Sequence, residues 1–162
     1  MLSRTAQGLF WMSRYIERAE NVARLLDAGR RIEALPSSPD AKRTEWKSIL
    51  IASGAKETFP GELDAADQVS VAQHLIFDRS NPSSIRSCLE AARENARAMR
   101  TAVTGDVWDT INLTWAEMRM LTPESLRGAG FVSFLEWVKT RAFLFRGAVD
   151  ATLLRNAGFN FI

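Results

Sequence analysis

The chain has 162 residues, a formal charge of +2 and 46% apolar content, the composition of an ordinary globular domain. A chain of this length buries about two-thirds of its unfolded surface and needs no staple to fold. One cysteine, Cys88, excludes an intramolecular disulfide and an all-cysteine zinc site; one histidine, His74, excludes metal centres that need two imidazoles.

The N-terminal Met1-Leu2-Ser3-Arg4 lacks the apolar run and cleavage site of a signal peptide. No stretch approaches the ~20 apolar residues of a membrane helix. The expected compartment is the cytoplasm, with no membrane partner. Of the 21 basic residues, 17 are Arg. Arginine's rigid fork suits carboxylates and phosphates; a GC-rich genome would give the same bias. The small excess, interleaved with acids, argues against a nucleic-acid partner.

Helical periodicity runs along nearly the whole sequence. Helix one is predicted over about Ser3 to Leu35. Leu9, Met12, Ile16, Ala19, Ala23 and Leu26 form its seam, and Pro36-Ser37-Ser38-Pro39 stops it. Helix two covers about Asp40 to Ser53 with Trp46, Ile49 and Leu50 inward, and is broken by Gly54 and Phe59-Pro60-Gly61. Helix three runs from about Asp64 to Phe77. Asn81 and Pro82 read as the cap and first residue of helix four, which extends to about Val103 on a stripe of Ile85, Cys88, Leu89, Ala92, Ala96, Met99 and Val103. Helix five spans about Asp106 to Leu121, with Trp108, Ile111, Trp115 and Met118 on one face. Helix six spans about Phe131 to Ala157. The fold class is therefore all-α: an antiparallel bundle of about six helices, three of them long, forming one domain over residues 1–162.

Two charged clusters stand out. Helix one carries Arg14, Glu17, Arg18, Glu20, Asn21 and Arg24, most of them opposite the seam. Its plainest reading is an ion-pair ladder: Arg14 and Arg18 with Glu17, and Glu17 and Glu20 with Arg24. An anion-binding site is the sharper one. Arg18 projects among Trp11, Val22 and Leu25, so it is expected to find a carboxylate or an anion, because an unpaired buried charge costs several kcal/mol. Helix four carries Arg86, Arg93, Arg97 and Arg100 in one row, with Glu90 and Glu94 beside it. Such a row needs negative charge alongside. Glu17, Glu20 and Asp27 of helix one would supply it, or else a phosphate, a nucleotide or an acidic protein patch. Arg146 and Asp150 on helix six are an i, i+4 pair.

Catalytic motifs are missing: the sequence has no Walker A, G-x-S-x-G, Rossmann glycine pattern, H-E-x-x-H or Glu-x-x-His. Neither a metal nor a cofactor is expected. Cys88 on the apolar stripe reads as a buried, inert thiol. His74 reads as a surface or half-buried histidine rather than a general base.

The opening Met1-Leu2-Ser3-Arg4-Thr5-Ala6, then Leu9-Phe10-Trp11-Met12-Ser13-Arg14-Tyr15-Ile16-Glu17-Arg18-Ala19-Glu20-Asn21 and Ala23-Arg24-Leu25-Leu26-Asp27, resembles the start of the bacterial alpha-E domain family. Phe77-Asp78-Arg79-Ser80-Asn81-Pro82, Ala91-Ala92-Arg93-Glu94-Asn95-Ala96-Arg97, Trp108-Asp109-Thr110-Ile111-Asn112 and Phe145-Arg146-Gly147 carry the likeness further. Family members are longer, and their second half repeats the helix-one motif, so the chain resembles an N-terminal half. The resemblance implies association with circularly permuted ATP-grasp proteins and transglutaminase-like proteins. It supplies no catalytic residues; the matching charged positions are those of the helix-one cluster with Arg93, Glu94, Asn95 and Arg97. The expected function is a non-enzymatic helical accessory or interaction protein of an ATP-grasp-type peptide or amide ligase system, pairing with a second copy through the surface meant for the other half. The alternative is an enzyme, or half of one, whose Arg/Glu cluster binds a carboxylate or phosphate substrate.

Overall fold

The computed structural model describes residues 2–36 and 38–152. Six α-helices lie among them: α1 (Leu2–Glu33), α2 (Pro39–Ala52), α3 (Gln68–Ile76), α4 (Ile85–Ala98), α5 (Gly105–Met120) and α6 (Ala129–Thr152). Short 3-10 turns occupy Lys56–Thr58, Leu63–Ala65 and Pro123–Leu126. No strand occurs among the described residues, and the fold is all-α. Ser37 of the predicted Pro36-Ser37-Ser38-Pro39 stop and the stretch of helix six beyond Thr152 lie outside the described residues.

Two helix starts differ from the sequence reading, both for reasons of capping. Asn81 does not cap α4. Its side chain accepts the Ser83 amide at 2.9 Å and its carbonyl accepts the Ser84 amide at 3.0 Å, which closes a turn around Pro82. Ser84 is the cap, accepting from the Ser87 amide at 3.2 Å. The rod then ends at Ala98, so α4 has 14 residues and is not one of the long helices; α1 with 32 and α6 with 24 are. Helix α3 starts late because Asp67 and Ser70 build a reciprocal capping box, the Ser70 amide donating to Asp67 at 2.8 Å.

Four helices form a ring in which α1 packs on α4 and α6, and α5 packs on the other side of both. Side-chain contacts fix the directions. Gly8 of α1 lies against Met99 past the end of α4, while Arg93 reaches Asn112. Glu117 of α5 meets Trp137 of α6, while Thr104 meets Thr152 at 2.7 Å. Glu20 meets Arg146 and Asp27 meets Lys139. Every neighbour is antiparallel, which is up-down-up-down topology. The predicted seam of α1 is buried along its length, as is the α4 stripe from Ile85 to Ala96. Cys88, Ala92 and Ala96 are small enough to let α1 come close. Burying one large apolar side chain contributes about 1.5–3 kcal/mol, so this shared core is what holds the ring.

Helices α2 and α3 cover the far end of α1. Gly29 makes the notch that seats α2: a methyl there would stand 2.1 Å from Ile49 and 3.0 Å from the Trp46 ring. Gly54, at φ +71°, ends α2 with a Schellman pair, Ala55 N to Leu50 O at 3.1 Å and Gly54 N to Ile51 O at 3.0 Å. His74, expected at or near the surface, is buried instead. Its Nδ1 lies 2.8 Å from Asp78 and its Nε2 3.0 Å from the Thr58 hydroxyl, fastening the loop after α2 onto α3.

Candidate functional site

A charged groove runs between α1 and α6, lined by Arg14, Glu17, Glu20, Asn21, Arg24 and Arg146, with a volume of about 420 Å³. Its floor is the Glu20 carboxylate, whose side chain is only 7% exposed. Arg24 reaches it from the next turn of α1 at 2.7 Å, and Arg146 reaches it across from α6. These cations sit at the rim, 62% and 46% exposed. Arg14 pairs with Glu17 on the open side. The groove is thus layered, with carboxylate below and guanidinium above. Burial of Glu20 works to raise its pKa, but hydrogen bonds from Arg146 and Arg24 win and hold it below the ordinary glutamate value.

Two turns further along α1 the arrangement repeats. Asp27 accepts from Arg30 at 2.9 Å, Arg31 at 2.9 Å and Lys139 of α6 at 3.3 Å. Burial opposes, yet these donors hold its pKa at about 2. Lys139 also binds Glu136, and its own pKa is raised, first by that bond. On α5 and α6, Glu117 accepts from Trp137 and Arg141.

The predicted clusters divide on this frame. Arg14, Glu17, Glu20, Asn21 and Arg24 come together with Arg146. Arg18 does not join them and finds no carboxylate among the described residues. It lies on the other flank of α1, over the Tyr15 ring at 5.8 Å, with the Trp11 ring tilted against Tyr15. The face of an aromatic ring satisfies a half-buried guanidinium there in place of an acid. Arg146 does not pair with the exposed Asp150, because Glu20 across the groove captures it.

Nor do the acids of helix one neutralise the α4 row. Glu20 and Asp27 turn to α6, on the far side of α1 from that row. Arg93 instead donates to Asn112 at 2.8 Å, and Arg93 and Arg100 both lie over the Trp108 ring, at 5.9 and 5.6 Å. Arg97 and Glu94 are exposed, and Asn95 donates to its own helix at Ala91. Cys88 is buried and its pKa is pushed up to about 12 by that burial, an inert thiol as expected.

Sequence reasoning missed Lys139, Trp108 and Asn112. A usable signal existed for the first. Glu20 and Asp27 are seven residues apart on α1, as Lys139 and Arg146 are on α6, which is the register of two antiparallel helices facing each other.

Chemically the groove offers charge recognition. Glu20 is held ionised and engaged, which makes it a weak base. Among the described residues no group of three His, Cys, Asp or Glu side chains could hold a metal ion. No helix among them is long and apolar enough to cross a membrane.

A four-helix ring with a covering α2–α3 corner and a layered ionic groove defines a class: an all-α bundle domain with a charged groove on one face. Residues 1–162 match the model of the Alpha-E family, described as a predicted alpha-helical domain with a conserved ER motif, and the chain belongs to that family. Its one Glu-Arg dipeptide is Glu17-Arg18, in which Glu17 lines the groove and Arg18 faces the opposite flank. Similar proteins include an uncharacterised protein of Mycobacterium bovis, 34% identical over 117 residues, and uncharacterised proteins of two Mycobacterium tuberculosis strains, 34% and 33% identical. Each match covers 65% of this chain and 13% of the relative, so the chain spans a small part of the length of these proteins. No solved structure matches the chain.

Proposed function

We propose that this Alpha-E domain is a non-enzymatic docking module: an accessory domain of an ATP-grasp-type peptide or amide ligase system that meets its partner through the α1–α6 groove. The layering of the groove carries this reading. A buried carboxylate, Glu20, sets Arg24 and Arg146 at the rim, so the outward surface is a preorganised guanidinium pair with Arg14 beside it. Such a rim recognises carboxylate or phosphate groups without reacting with them. The match of a short segment within much longer relatives supports an accessory domain working beside others. The family resemblance supplies the ligase and the transglutaminase-like protein as partners. The apolar side chains exposed on α5 and α6, Leu113, Phe143 and Leu144, support pairing with a second copy.

Calorimetric titration of the domain with an ATP-grasp protein from the same genome, with and without ATP, tests the reading. Binding that is lost in Arg146→Gln supports it. Binding that survives that change, or no binding at high micromolar concentration, overturns it.

The same guanidinium rim favours a second reading, an enzyme half that holds a carboxylate or phosphate substrate. That reading needs Glu17 as the base, because it is the exposed carboxylate with one cationic partner, Arg14, whereas Glu20 is buried under two. It predicts that Glu17→Gln abolishes turnover while leaving substrate binding intact.

A further inference from the structure

The Arg row that runs along α4 and past its end to Arg100 is bordered by acids but engaged by none of them among the described residues. Arg86, Arg93, Arg97 and Arg100 make no ion pair among the described residues. The nearest acid that does pair, Glu90, is held by Arg79 at 3.7 Å. The row is also built rather than loose. Trp108 of α5 lies beneath the guanidinium groups of both Arg93 and Arg100, and Asn112 fixes Arg93 Nε at 2.8 Å. Arg100 Nη1 also reaches the Val103 carbonyl at 3.5 Å, and the remaining terminal N–H donors of the two guanidinium groups make no hydrogen bond among the described residues. Arg86 adds a buried Nε with no acceptor.

We propose that this α4–α5 face is a docking surface for an acidic helix of a partner protein. Arg86, Arg93 and Arg97 are spaced seven and four residues apart along one rod, about 16 Å at the rise of an α-helix. A second helix laid alongside has the same rise, so carboxylates at four- and seven-residue spacing meet the row in register. The half-exposed Trp108 ring offers apolar surface to the stems of that helix. A nucleic-acid backbone fits less well. The exposed Glu94 and Asp109 border the row and repel a continuous line of phosphates, whereas a helix can place its carboxylates to avoid them.

This surface is separate from the α1–α6 groove and does not depend on the ligase reading. The probe is a fluorescein-labelled helical peptide with glutamates at four- and seven-residue spacing, compared by anisotropy with a peptide of the same composition whose glutamates are scattered round the helix, and with a single-stranded oligonucleotide. The registered peptide is expected to bind more tightly than both. Arg97→Gln, at an exposed and unpartnered position, is expected to weaken it about tenfold with the circular dichroism spectrum unchanged. Arg93→Lys keeps the charge but loses the fork held on Trp108, and is expected to weaken binding too. Equal affinity for the two peptides, unchanged affinity in both variants, or preference for the oligonucleotide overturns the proposal. Arg146→Gln leaves peptide binding unchanged, which separates this test from that of the groove.

Discussion

Glu20 on α1 and Arg146 on α6 stand 126 positions apart in sequence, yet they share an ion pair at the floor of one groove. Arg24 completes the triad from the same helix as Glu20. The pair therefore closes the ring of helices and shapes its charged face at once. Removing Arg146 leaves a nearly buried carboxylate with one donor fewer. Arg146→Met is expected to cost about 1.5–3 kcal/mol. A double-mutant cycle with Glu20→Gln in urea denaturation should show coupling of at least about 1 kcal/mol. Coupling near zero would mean the contact contributes nothing to the closure of the ring.

Asp27 should make stability depend on acid pH. Its folded pKa, about 2, lies below the ordinary aspartate value of 3.8, so the folded form favours the ionised carboxylate. The contribution is present in full above the unfolded value and disappears as pH falls through about 2. By linkage it amounts to about 2 kcal/mol at pH 7. Asp27→Asn should lose about that much at pH 7, with the difference from wild type shrinking steadily between pH 5 and pH 2. A difference that stays constant over that range would contradict the assignment.

Arg18 should tolerate neutral replacement. Its partner is a ring, with no carboxylate among the described residues, and such a contact is worth about 0.5–1 kcal/mol. Arg18→Met is therefore expected to shift the denaturation midpoint only slightly. A loss of several kcal/mol would show that an acidic partner had been stranded.

Two glycines should respond with opposite signs to alanine. Gly147 has nothing within 4 Å of where its Cβ would stand, so Gly147→Ala gains helix propensity, about 1 kcal/mol. Gly29→Ala gains the same propensity but drives a methyl into Ile49 and Trp46, and overpacking costs about 1–3 kcal/mol. Thermal melts should rise for the first and fall for the second.

Cys88 should resist thiol reagents in the native protein, since burial holds it protonated. Labelling is expected only at the rate of unfolding. Rapid native labelling would place the thiol at the surface.

The rods and their inner faces were readable from spacing alone, because burial on one side of a helix forces apolar residues every three or four positions. The buried seam from Leu9 to Leu26 shows this. Partner choice was readable only in the matched seven-residue spacing of Glu20 and Asp27 with Lys139 and Arg146. Periodicity says which way Glu20 points along its own helix, but not whether α4 or α6 stands there; that depends on the order of helices round the ring. Arg18 was misjudged for a related reason. A helical wheel placed it in an apolar sector, but Trp11 and Tyr15 on that flank are themselves only partly covered, and aromatic rings accept a cation where aliphatic side chains would not. Capping misled at Asn81 because Asn and Ser compete for the same task, and the residue nearer the first full turn, Ser84, took it.

The corner formed by α2 and α3 is fastened differently from the four rods. It joins their apolar core through Trp46, Leu50, Leu75 and Ile76, but chiefly against one rod, α1; the notch at Gly29 and the hydrogen bonds round His74 pin it. In native-state hydrogen exchange the amides of that corner should therefore open as a separate unit, at lower free energy than those in the middle of α1 and α4. The domain would then loosen at one end while its ionic groove keeps its shape.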